Sequence, residues 1–255
     1  MQDPYKGDLH VGADLGTAYL TLVVLDQDCQ PLAGEYQFAE VARDGLVVDF
    51  IGAVDLLTEM KARVEKRLGR ELTHAATGYP PGVPQVEVRA TANVLEAVGM
   101  TCTALVDEPS AANAIFKLKD GVIVDVGGGT TGVAVIQDGE VVYTADETTG
   151  GTHYSLVIAG AQDIPFAAAE KQKTNPAEQA RLLPIIRPVM EKVASIVKRH
   201  ISGYDVQNIT LVGGSSSFPG MAETVTEYTG IAAWVPPHSA FPTPLGMAWH
   251  DQAKN

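Results

Sequence analysis

The sequence predicts an α/β fold built from two related halves, on three observations. First, Val122 to Val133 reads Val-Ile-Val-Asp-Val-Gly-Gly-Gly-Thr-Thr-Gly-Val. An apolar run, an acid, a glycine turn and a second apolar run describe a strand, a tight turn and a strand. Second, a weaker copy occupies His10 to Leu22, where Asp14, Gly16 and Thr17 separate a short apolar run from an alternating one. The acids Asp14 and Asp125 lie roughly half a chain apart, and repetition at that scale suggests two halves facing one cleft. Third, strand-like runs alternate with segments of helical spacing, the pattern of sheets flanked by helices.

The chemistry of the glycine turn points to an anion. Gly127, Gly128 and Gly129 let the backbone approach a ligand closely, and their N–H groups suit phosphate oxygens. A carboxylate beside phosphate is repulsive, so Asp125 makes sense if a Mg²⁺ ion, held mostly through its waters, sits between the two.

The elements follow in order. Tyr19 to Leu25 is a strand, Asp26 to Gln30 a polar hairpin, and Leu32 to Ala42 a further strand ending at the Asp44-Gly45 turn signal. Ile51, Val54, Leu57, Met60, Val64 and Leu68 have helical spacing, and Gly69 ends that helix. Thr73 to Tyr79 is a strand, halted by Pro80-Pro81-Gly82, and a helix is expected from about Pro84 to Val98. Thr101 to Val106 is the next strand. It stops at Asp107-Glu108-Pro109-Ser110, where Pro109 suits the start of a helix. The central hairpin extends from Gly121 to Thr148, and Gly150-Gly151 forms a third glycine turn before a helix through Ile158. Phe166 to Lys173 is a short helix, broken by Thr174-Asn175-Pro176. A long helix from Leu182 to Ile201 keeps Pro184 and Pro188 in or near its first turns. Asn208 to Val212 is a strand leading into Gly213-Gly214-Ser215, followed by a helix and a strand at Trp234, and Pro236-Pro237 open the last segment.

Composition narrows the function. The chain has 255 residues, 45% hydrophobic and 19% charged, so it can bury a substantial core and reads as globular and soluble. A formal net charge of −13 argues against nucleic acid or an anionic membrane as main partner. Two cysteines, Cys29 and Cys102, offer neither a metal spacing nor a disulfide framework, which suggests a reducing cytoplasm. The N-terminus lacks the apolar core of a signal peptide, and no run of apolar residues is long enough to span a membrane.

Asp14-Leu15-Gly16-Thr17, Asp107-Glu108-Pro109-Ser110-Ala111-Ala112, Asp125 to Thr130, Gly150-Gly151 and Gly213-Gly214-Ser215 together resemble the motif series of the actin/heat-shock ATPase superfamily. Arg43 to Val54, Thr73 to Gly82 and Pro237 to Leu245 are similar to the branch encoded with bacterial ethanolamine-utilisation microcompartment genes. The resemblance implies two ribonuclease-H-like lobes, residues 1–116 and 117–255, with outer subdomains reduced or absent and Mg-ATP or Mg-ADP between them. It implies that Asp14 and Asp125 hold Mg²⁺ through waters. Gly16, Thr17, Gly127, Gly128, Gly129, Thr130 and Thr131 would contact phosphate, and Glu108 would orient an attacking water. Gly150 and Gly151 would approach phosphates or ribose, Glu170 and Lys173 ribose and adenine, and Gly213, Gly214 and Ser215 the adenosine. The implied role is a chaperone or reactivase, with amine-utilisation enzymes or microcompartment shell proteins as partners.

Plainer readings stand beside these. Glu108 equally suits the positive end of the following helix, a task Asp107 could also serve. Glu170 and Lys173 have the spacing of a surface ion pair. Thr131-Gly132 replaces the aromatic and acid of the heat-shock branch, and Thr152-His153 replaces its acid after the third glycine pair. A nucleotide-binding scaffold without turnover therefore remains open, as does a filament-forming actin relative. A small-molecule kinase would need a substrate pocket that the reduced outer subdomains leave no room for.

Overall fold

A computed structural model describes residues 5–44 and 46–251. Gly45, half of the expected Asp-Gly turn, and the ends of the chain lie outside the described residues. The described chain up to Lys117, joined by the residues from Phe241 onward, forms one compact unit, and Leu118–Ala240 form a second.

In the first unit β1 (His10–Leu15), β2 (Tyr19–Leu25) and β3 (Pro31–Phe38) form an antiparallel meander. A two-residue ribbon of β4 (Ala42–Arg43) and β5 (Leu46–Val47) leads into α1 (Phe50–Leu68). Then come β6 (His74–Tyr79), α2 (Gln85–Ala97), β7 (Thr101–Asp107) and α3 (Glu108–Phe116). Strands β6 and β7 add in parallel beside β1, in the order β3-β2-β1-β6-β7. Asp49 caps α1 by accepting from the Gly52 N–H, and left-handed Gly69 ends it. Leu57, Met60 and Val64 face the core, each contributing about 1.5–3 kcal/mol by burial.

The second unit repeats the plan. β8 (Gly121–Val126), β9 (Thr131–Gln137) and β10 (Glu140–Glu147) form the meander. After α4 (Gly151–Gln162), α5 (Phe166–Lys173) and α6 (Pro176–His200), β11 (Ile209–Val212) pairs in parallel with β8. A 3₁₀ turn (Gly214–Ser217), α7 (Met221–Thr229) and β12 (Ala233–Trp234) complete it, in the order β10-β9-β8-β11-β12. Strand for strand this is the order of the first unit, so the repeat visible in the Asp14 and Asp125 hairpins extends through both sheets.

Three expectations are corrected. The long helix starts at Pro176 because Asn175 caps it, accepting from the Ala177 N–H with Pro176 at the first position. Pro184 and Pro188 therefore lie inside it, on its exposed side, where lost helical hydrogen bonds cost least. The final segment contains a helix, α8 (Pro242–His250), that its two prolines and weak periodicity conceal. The second half was expected to run to residue 255. Instead its compact unit ends at Ala240, and α8 packs on α3 and across β1, β2 and β6 of the first unit. That packing is close: a Cβ on Gly246 would stand 1.7 Å from the Ala111 carbonyl oxygen, so only glycine fits there. Beyond α8 the buried Asp251 carboxylate accepts from the Val11 N–H and the Thr103 hydroxyl and bonds His74 Nδ1, tying the chain end to β1, β6 and β7.

Candidate functional site

In the second unit β8 is buried throughout and ends in Asp125-Val126, and the antiparallel register sets Asp125 opposite Gly132 and Val126 opposite Thr131. The four residues between the strands, Gly127 to Thr130, close on themselves through the Gly127 N–H and the Thr130 carbonyl at 3.0 Å. The start of α4 meets this turn: the Gly151 N–H donates to the Gly127 carbonyl at 2.9 Å and the Thr152 N–H to the Gly128 carbonyl at 2.7 Å. The Ser215 hydroxyl donates to the same Gly127 carbonyl at 2.7 Å.

These bonds orient the turn. A trans peptide points its carbonyl and the next N–H in opposite directions. With the Gly127 and Gly128 carbonyls held by α4, the N–H groups of Gly128 and Gly129 face away from that helix. Successive amides presented on one side of a turn form an anion cradle.

Glycine is required at two surrounding positions. A Cβ on Gly150 would lie 2.7 Å from the Gly127 carbonyl oxygen. A Cβ on Gly213, whose φ is +86°, would lie 2.3 Å from Asp125 Oδ1. Gly213 is held by its N–H to the Ser239 carbonyl and accepts from the Ser239 hydroxyl. Asp125 and Thr130, both buried, thus sit at the turn with backbone behind them.

A polar network adjoins the cradle. Lys173 Nζ donates to the Gly151 carbonyl at 3.0 Å and to Glu170 Oε2 at 2.7 Å, and the Ser155 hydroxyl donates to the same Oε2 at 2.5 Å. Burial pulls the Lys173 ammonium below its ordinary value, opposed by the Glu170 charge. The pair is buried, not a surface ion pair, and Glu170 Oε1 is enclosed without a hydrogen-bond partner. A buried acceptor left unpaired is costly, and a ligand hydroxyl or amine would satisfy it.

Two of the expected contacts make hydrogen bonds within the protein. Thr131 is fully buried and its hydroxyl donates to the Thr149 carbonyl at 2.6 Å, so it braces β9 against the approach to α4. Ser215 spends its hydroxyl on the Gly127 carbonyl. Ser155 and Ser239 were not singled out from the sequence, and His153 takes the capping alternative open to a lone histidine in a turn. His153 Nδ1 accepts from the Gly150 N–H at 3.2 Å, capping α4. Ser155 lies one helical turn from Gly151 and was visible on that face, whereas no local pattern marks Ser239.

In the first unit Asp14 occupies the matching place, opposite Thr21 and one residue before the strand end. The turn is tight, since a Cβ on Gly16 would stand 2.7 Å from the Tyr19 carbonyl oxygen. Asp14 and Thr17 are both half-buried. Asp107 caps α3 by accepting from the Ser110 N–H at 3.1 Å, which leaves the capping role filled and Glu108 half-buried at the first helical position. Asp14, one residue before the end of β1, and Asp107, at the end of β7, lie at the carboxyl ends of parallel strands, the edge at which α/β sheets bind ligands.

The residues present fit a Mg-nucleotide. Among the described residues no group of three or more His, Cys, Asp or Glu side chains could cage a metal ion. An ion would rest on a single carboxylate, waters and phosphate, which is the habit of Mg²⁺. Among the described residues no helix is long and apolar enough to cross a membrane.

Comparison with known proteins identifies the fold and the family. Residues 35–160 match the MreB/Mbl protein family and residues 110–241 the type IV pilus assembly protein PilM family. The ethanolamine utilization protein EutJ of Salmonella typhimurium is 41% identical over 99% of this chain and 90% of its own length. The crystal structure of EutJ from Carboxydothermus hydrogenoformans superposes with a TM-score of 0.91 at 45% identity, covering 96% of this chain and 91% of that one. MreB5 of Spiroplasma citri, in a structure bound to ADP, superposes with a TM-score of 0.73 at 16% identity, covering 93% of this chain and 94% of that one, a likeness of fold. The fold is that of the actin-like ATPases, and the chain belongs to the family of the ethanolamine utilization protein EutJ.

Proposed function

We propose that the protein binds a Mg-nucleoside phosphate, ATP or ADP, at the Gly127–Thr130 turn, and uses it as a chaperone or reactivase for enzymes or shell proteins of ethanolamine utilisation in the cytoplasm. The observation that carries the reading is the orientation of the turn: the Gly127 and Gly128 carbonyls are tied to α4, so the Gly128 and Gly129 amides face away from it as an anion cradle. Within it, Asp125 carries waters of the metal and Thr130 hydrogen-bonds phosphate. Gly150 and Gly151 approach phosphate or ribose through their backbone, Glu170 Oε1 accepts from the nucleoside, and Gly213 and Gly214 approach the adenosine. Asp14, Gly16 and Thr17 offer the same donor set on the first unit, and Glu108 is the carboxylate assigned to a hydrolytic water. The bound ion supplies charge neutralisation at the phosphates.

A second reading, a nucleotide-binding scaffold without turnover, is favoured by Thr131, which the fold consumes, and by His153, which caps α4. Calorimetric titration of ATP with and without Mg²⁺, followed by phosphate release, separates the two. Micromolar Mg-dependent binding with turnover supports the ATPase, and binding without turnover supports the scaffold. No heat at millimolar ATP, with an unshifted melting temperature, would reject both.

A further inference from the structure

The first unit carries an apolar patch that its core does not use. Val48, Phe50 and Ile51 are 59%, 40% and 68% exposed, and Val86, in the first turn of α2, is 84% exposed. They belong to one neighbourhood, because β5 and α1 both pack against α2. Ile51 and Val86 point away from the buried faces of their helices, and Phe50, three residues before Ala53, borders the buried stripe at the exposed start of α1. Along α1 the buried stripe is Ala53, Leu57, Met60 and Val64, and Ile51 lies two residues before Ala53, on the opposite side of the helix. Val86 stands in the same relation to buried Val88. Large aliphatic groups gathered on a surface mark an interaction site.

The charges around the patch select its partner. Exposed carboxylates at Glu40, Asp49, Asp55 and Glu87 outnumber the exposed guanidiniums of Arg43 and Arg89. A second copy placed face to face here would oppose like charges, in a chain whose formal net charge is −13. We infer that this patch docks a partner-protein segment that is amphipathic and basic, with aliphatic residues on one face and Lys or Arg beside them. A helix suits it better than a strand, since side chains of two helix starts line it and no long free strand edge does. The position is consequential. Tyr79 ends β6 at the sheet edge where Asp14 and Asp107 lie near the ends of their strands, and α2 begins a few residues later. A docked segment would lie at the same end of this unit as the Asp14 hairpin and Glu108. The inference is independent of the nucleotide reading and is tested without nucleotide.

The probe is a fluorescent helical peptide about 14 residues long, with Leu at i, i+3, i+4 and i+7 spacing and Lys elsewhere. Its anisotropy is measured on the full chain, against a control with Glu in place of Lys. Ile51→Glu and Val86→Glu place acids in first turns, where the helix favours them, so both variants should fold, as circular dichroism and melting would verify. Each adds negative charge and so strengthens any diffuse attraction for lysine. Weaker binding must then come from lost apolar contact. The expected result is binding of the Leu/Lys peptide alone, weakened about tenfold or more by either variant, the order expected of one buried aliphatic side chain, and unchanged by Val142→Glu on β10. Equal affinity in the patch variants, equal loss in Val142→Glu, equal binding of the Leu/Glu peptide, or no binding of the Leu/Lys peptide would overturn the inference. So would a dimer in sedimentation that Ile51→Glu dissolves, since the face would then belong to a second copy.

Discussion

His74 Nδ1 lies 2.7 Å from Asp251 Oδ2, joining the start of β6 to the residue just past the last helix. The carboxylate also holds the Val11 N–H and the Thr103 hydroxyl, so one buried acid fastens the chain end to three strands. The hydrogen bond to Asp251 raises the His74 pKa above its ordinary 6.5, against the opposing effects of burial and of Arg70. A raised histidine stabilises the fold fully below its unfolded value, and that contribution is lost as pH rises through the folded value. The melting temperature should therefore fall as pH rises above about 6.5 more steeply in the wild type than in His74→Gln. His200 and His250, both held low chiefly by burial, titrate in both proteins and cancel in the difference. Parallel curves would show that the contact carries no charge.

Gly246→Ala tests whether α8 belongs to the first unit in solution. The added methyl would overlap the Ala111 carbonyl, and backbone cannot yield as a side-chain tip can. A loss of about 1–3 kcal/mol is expected in denaturant melts. An unchanged midpoint would mean that α8 is not seated on α3 as described.

What the sequence revealed and concealed follows from how local each signal is. The Asp125 hairpin, α1 with its Gly69 stop and the Asp107-Glu108 helix start were readable because period, turn chemistry and caps sit within a few residues of one another. The return of α8 was not, because its warrant is a close approach of Gly246 to Ala111 that no nearby residue announces. The same divide runs through the site. Glycines and acids at the turns were legible as types, but the task of Thr131 depends on Thr149, and that of Ser215 on Gly127. Glu170 and Lys173 had the spacing of an ordinary surface pair, and only tertiary packing buries them.

Thr131→Val is the test of that distinction. The swap keeps the branched shape and removes the donor to the Thr149 carbonyl. It should cost about 1–3 kcal/mol of stability, the range for leaving one buried polar group unpaired. Nucleotide affinity, read by calorimetry well below the melting temperature, should change less than threefold. Unchanged stability with lost affinity would return Thr131 to the phosphate.

Gly213→Ala strikes the site from behind. It combines a left-handed backbone with a Cβ 2.3 Å from Asp125 Oδ1, so the carboxylate must move or the strand must shift. Stability should drop by about 1–3 kcal/mol, and Mg-dependent nucleotide binding should weaken more than Mg-independent binding. Gly160→Ala is the control, since its Cβ would meet nothing within 4 Å. Equal loss of both binding modes would place Asp125 away from the metal.

Asp107 fills the capping role that sequence left open between it and Glu108. Asp107 caps α3, so Asp107→Ala should cost about 1 kcal/mol of stability through the lost cap. Glu108 begins the same helix without being its cap, and a half-buried acid at a helix start tolerates amide replacement. Glu108→Gln should leave nucleotide affinity within twofold and slow any hydrolysis by about a hundredfold or more, the range for removing a group that moves a proton. Stability and turnover should thus separate across the pair, one variant losing each. Full hydrolysis in Glu108→Gln, with Asp107→Ala slowed instead, would move the water-orienting role to the capping residue.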